Sequence, residues 1–76
     1  MNSDRRKRLS LLAERLTDVR SFLEDLRNEE EVALENMPES LQQGDRAQAM
    51  AERVGELDEA LNQLDDVISC VEGCAA

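Results

Sequence analysis

The sequence predicts an all-α protein, an antiparallel two-helix hairpin, on three observations. Apolar residues recur at 3, 4, 3, 4 spacing through both halves of the chain, and the only proline stands between the halves. Ala, Leu, Glu, Arg, Asp and Gln fill most positions, while Gly is 3, Trp and Tyr are 0, and Phe22 is the single aromatic. That spacing returns a side chain to one helix face about every 3.5 residues, and a strand, with its period of about 2, cannot produce it. Seventy-six residues make one domain, residues 1–76, and so short a chain buries a modest share of its surface, which favours a second copy of itself as support.

The first helix is expected over 3–36. Leu9, Leu12, Leu16, Val19, Leu23, Leu26, Ala33 and Met37 carry its apolar rhythm, with Glu30 the one polar intruder. A polar residue at a core position commonly fixes register or oligomeric state. The second helix is expected over 45–73, where Ala47, Met50, Val54, Leu57, Leu61, Leu64, Ile68 and Val71 repeat the rhythm without exception. Gly55 falls on its polar face. Phe22, Ala13, Leu34, Ala51, Ala60 and Val67 flank the two stripes and widen them beyond what one seam uses. The surplus predicts a homodimer of hairpins closing into a four-helix bundle.

Between the helices lies E-N-M-P-E-S-L-Q-Q-G-D-R, with the tip placed at 37–44. Asn36 tolerates the left-handed conformation of a helix end, and Pro38 pushes Met37 toward extended backbone. Leu41 is expected to fold over the tip, and Gly44 or Asp45 to cap the next helix. A connection this short favours an antiparallel return. Charge points the same way. Residues 1–20 carry six basic and three acidic groups and the remainder three basic and fifteen acidic, so a hairpin brings Arg5, Arg6, Lys7 and Arg8 toward Asp65, Asp66 and Glu72.

From Glu29 the run Glu29, Glu30, Ala33, Leu34, Asn36, Met37, Pro38, Glu39, Ser40, Leu41, Gln42, followed by Arg46 and an acidic heptad helix, resembles a group of small acidic helical-hairpin proteins of phages, prophages and related mobile elements of Gram-positive bacteria. An N-[L/M]-P-E-S-L-Q tip is the specific feature of that group. The resemblance spans most of residues 15–70 and is sharp over 29–46; this chain has Leu34 where the group has an aromatic and Gly44 where it has a serine. What the resemblance implies is a genetic context, without an assigned activity.

Composition narrows the chemistry. A net charge of −9 argues against direct binding to nucleic acid or an anionic membrane and makes a basic protein the natural charged partner. No apolar run reaches the roughly 18 residues of a membrane span, and the basic start is followed by no uninterrupted apolar core, so a cytoplasmic location is expected. Cys70 and Cys74 share a helix face, but with no His in the chain they fall short of the ligand set structural zinc needs, and no metal or cofactor is expected. Arg5 to Arg8 lack the aromatics of a nucleic-acid reader. Glu29, Glu30, Glu31, Glu35 and Glu39 form an acidic cluster beside the tip, an ordinary solvated face or else a phosphate-row mimic that could inhibit a basic nucleic-acid-binding or defence protein. With no His, no Tyr, no Gly-rich phosphate loop and no room for a desolvated pocket, no catalytic residue is assigned. The expected role is a non-enzymatic, self-associating interaction module.

Overall fold

The computed structural model describes residues 1–76 as α1 (Ser3–Glu35), a single-turn α2 (Glu39–Gln42) and α3 (Asp45–Ala75), with no strand. The long helices pack side by side into a rod of 60 × 14 × 12 Å. Cross-helix contacts pair residue 20 with 65, 27 with 58 and 30 with 53, so α1 and α3 run antiparallel.

Local chemistry accounts for each terminus. Asn2 caps α1, its side-chain oxygen accepting from the Arg5 amide at 2.8 Å, which satisfies one of the donors left over at a helix start. Pro38 ends α1, since it cannot donate a backbone hydrogen bond and disfavours helical backbone at Met37. Asn36 stays right-handed, at φ −86°, and no residue of the chain has positive φ, so the expected left-handed helix end is absent. Pro38 instead starts α2, with the Leu41 amide donating to its carbonyl at 2.8 Å, while the Gln42 side chain donates to the Met37 carbonyl at 2.9 Å. The tip is therefore a turn of helix clipped at both ends, which the apolar spacing does not predict. Leu41, expected to fold over the tip, is 53% exposed. Gly44 precedes α3 in extended backbone, and a Cβ there would meet the Leu41 carbonyl oxygen at 3.3 Å, so the close turn favours glycine.

The α3 seam matches its reading. Ala47, Met50, Val54, Leu61 and Ile68 are buried, and Leu57, Leu64 and Val71 are half-buried between them. The α1 seam does not. Leu9, Leu16, Leu23, Glu30 and Met37 face α3 as expected, but the positions between them are Ala13, Arg20, Arg27 and Leu34; Leu12, Val19, Leu26 and Ala33 are exposed. The whole helix is rotated about its own axis by roughly 50°, half of the angle between successive residues, so that the 13, 20, 27, 34 row replaces the 12, 19, 26, 33 row. Covering the 13, 20, 27, 34 row lets two arginines reach α3 carboxylates while their stems lie over the seam.

Only six residues of 76 are buried, five of them on α3. So thin a core makes each member costly to lose. Leu61→Ala is expected to remove about 2–5 kcal/mol and most of the helical circular dichroism signal at 37 °C. A methyl group added at Gly55 would meet nothing within 4 Å, and Gly55→Ala should stabilise the rod by about 1 kcal/mol, read as a raised Tm.

Candidate interaction surface

Two long sides flank the α1–α3 seam, and they differ in chemistry. One side is held by a repeated charge cluster. The Arg20 guanidinium donates through Nε to Asp65 Oδ1 at 2.7 Å and through Nη2 to Oδ2 at 3.3 Å, and its remaining arm bonds Glu24 one turn on. Arg27 repeats the arrangement seven residues later, with Asp58 at 2.7 and 3.3 Å and Glu31 one turn on. Forked contacts of this kind bind a planar guanidinium in one orientation. The Asp65 hydrogen bond, followed by the one to Glu24, pushes the Arg20 guanidinium above its ordinary range; the Asp58 hydrogen bond does the same for Arg27. Raising an arginine strengthens its hold on its proton, so both guanidinium groups keep their charge through neutral pH.

The other side is closed at one point by Arg53, which bonds Glu30 across the seam. Glu30 is the polar intruder of the α1 rhythm, and Arg53 explains its presence there. From this pair outward the side is apolar. Leu12, Val19, Leu26 and Ala33 recur every seven residues along α1, and Ala60, Val67 and Cys74 recur every seven along α3 beyond Arg53. The antiparallel register sets them in rows: Leu12 level with Cys74, Val19 with Val67, Leu26 with Ala60, Ala33 with Arg53. Exposures of 43% for Leu12, 54% for Val19, 43% for Leu26 and 46% for Val67 mark a continuous uncovered face, and Phe22, at 67%, stands on its α1 edge. Residues chosen from sequence as seam or core thus divide. Leu9, Leu16, Leu23, Met37 and the α3 set hold the hairpin together, whereas Leu12, Val19, Phe22, Leu26 and Ala33 form an outer face.

The acidic cluster divides too. Glu30 and Glu31 are half-buried and engaged with Arg53 and Arg27, while Glu29, Glu35 and Glu39 remain exposed. The basic cluster stays apart from α3: Arg8 pairs with Asp4 on its own helix at 3.5 Å, and the cross-helix partner of Asp65 is Arg20. The expected meeting of Arg5 to Arg8 with Asp65, Asp66 and Glu72 is therefore replaced by pairing nearer the middle of the rod. Arg20, Arg27, Arg53, Asp58 and Asp65 lie outside the set that apolar spacing singles out. Their signal in the sequence is the Arg-x-x-x-Glu unit at Arg20 and Arg27, repeated at seven, against Asp58 and Asp65 at the same interval. Cys70 and Cys74 are free and exposed.

If the forked contacts set the pairing, Arg27→Asp should lower Tm, and adding Asp58→Arg in the same chain should recover most of the loss; two equally destabilised proteins would disprove the contact. The open surface of the rod is grooved only shallowly, and no helix is long and apolar enough to cross a membrane. Compared with known proteins, the chain matches no family model, no curated protein and no solved structure.

Proposed function

We propose that the protein is a non-enzymatic interaction module whose hairpin self-associates into a four-helix bundle through the Leu12, Val19, Phe22, Leu26 and Val67 face. The observation that carries this is the exposure of that face. A rod with so thin a core leaves five large apolar side chains in water along one side, and contiguous apolar patches of this kind mark association surfaces in soluble proteins. Two such faces stacked together supply the second layer that a two-helix hairpin lacks. The tip motif, through its resemblance to proteins of phages and mobile elements, suggests that context, and a cytoplasmic site of action agrees with the acidic composition. Direct contact with nucleic acid or membrane plays no part in the proposed role.

A second reading rests on charge. Residues 24–60, the tip half of the rod, carry twelve acidic and three basic groups, and Glu29, Glu35 and Glu39 are free there to meet a basic protein. An inhibitor of a basic nucleic-acid-binding or defence protein would capture that partner at low salt and release it at high salt. The bundle module would not.

Sedimentation equilibrium at micromolar concentration tests the first reading. The wild-type chain is expected as a dimer, and Phe22→Glu, at a position the hairpin itself leaves exposed, as a helical monomer. A wild-type monomer ends the proposal.

A further inference from the structure

The distribution of charge along the rod assigns an orientation to that self-association, and this inference rests on the dimer proposed above. Stacking two copies through the apolar face leaves two symmetric choices. The tips lie at the same end, or each tip lies against the open end of the other copy.

The two ends differ sharply. Residues 1–18 and 67–76, which form the open end, carry five basic and four acidic groups, whereas residues 24–60 carry three basic and twelve acidic. Tips together would gather both acidic halves at one end of a narrow rod. Tips apart set each acidic half against the nearly neutral, arginine-bearing end of its twin. Like charges held within a Debye length disfavour the first choice.

The face itself carries the same polarity. Along α1 its heptad rows continue past the apolar core to Arg8 and Arg15 at the open end and to Glu29 at the tip end. A groove lined by Arg5, Arg8, Leu11, Leu12 and Arg15 occupies one end, and a surface of Asp25, Glu29, Val32 and Ala33 the other. The first offers leucine between arginines, the second aliphatic carbon between carboxylates. Each suits the other and not itself.

We infer that two copies of this chain dock face to face with α1 antiparallel to α1, about a twofold axis crossing the rod between Val19 and Phe22. Phe22 of each copy then packs against Val19 of the other, and Leu12 meets the carbon stem of Glu29, whose carboxylate reaches Arg15 of the second copy. Leu11 and Val32, both exposed in the single hairpin, come together on the rim. Asp18 and Asp25 are the like charges this arrangement brings nearest, and Arg15 lies beside them. Cys74 sits level with Leu12, and so about 26 Å along the bundle from Cys74 of the second copy, at about 1.5 Å per residue.

The test is a pulsed EPR distance on the Cys70→Ala chain carrying one nitroxide at Cys74, under conditions where sedimentation of the labelled protein reports its mass. A dimer with a label separation of roughly 30 Å supports the inference. A dimer with labels within roughly 20 Å, as adjacent or diagonal helices at one end require, overturns the orientation and leaves the self-association standing. A wild-type monomer overturns both. Should the label itself split the dimer, charge exchange decides. Arg15→Glu and Glu29→Arg should each weaken the dimer, roughly tenfold for two symmetry-related pairs, and the doubly exchanged chain should regain wild-type association. A double variant as weak as the singles overturns the orientation.

Discussion

One constraint shapes this molecule: the central row of α1 can be completed on one side by Leu12, Val19, Leu26 and Ala33 or on the other by Ala13, Arg20, Arg27 and Leu34, whereas the apolar stripe of α3 offers one seam. Leu9, Leu16, Leu23, Glu30 and Met37 form that central row, so α3 can lie over the side of Ala13 or over the side of Leu12, but not both. It lies over Ala13. The more apolar side is the one left in water, because the covered side lets Arg20 and Arg27 grip Asp65 and Asp58 while their stems stay over the seam. Hydrophobic burial drives the helices together, and polar geometry selects which faces meet. The hairpin gives up contact area within the chain and leaves an apolar side exposed.

That division also explains the limits of reading the sequence. Both long helices, their antiparallel return and the stop at Pro38 were legible, since heptad spacing and a missing backbone donor act locally. The α3 seam was legible because a single stripe leaves no choice. On α1 a search for the most apolar row settles on Leu12, Val19 and Leu26, and only the matched seven-residue intervals of arginine on one helix and aspartate on the other reveal the rotation. The single turn of α2 and the Gln42 clip were hidden for a related reason. They follow from hydrogen bonds over four or five residues, which apolar periodicity does not record.

In the proposed dimer, folding and association would reinforce each other. With six buried residues, the hairpin sets few apolar contacts against the entropy of ordering two long helices, and in the proposed dimer the outer face would add to them. The polar intruder Glu30 fits this scheme. Joined to Arg53, it closes the apolar side near the tip and marks where the uncovered rows begin.

The charge clusters on the opposite side repeat at the same interval on both helices, so by themselves they behave like the teeth of a ratchet. Sliding α3 by one heptad would carry Asp65 to Arg27 and bring Glu72, seven residues beyond it, level with Arg20. What forbids the slip is the length of chain between Glu35 and Asp45, wound into one turn and fastened at Met37 by Gln42. The absolute alignment of the two helices thus rests on the unrepeated Glu30–Arg53 bond and on a few tip residues that bury almost nothing, and a single cut in the backbone at the tip would leave that one bond to oppose staggered forms of the rod.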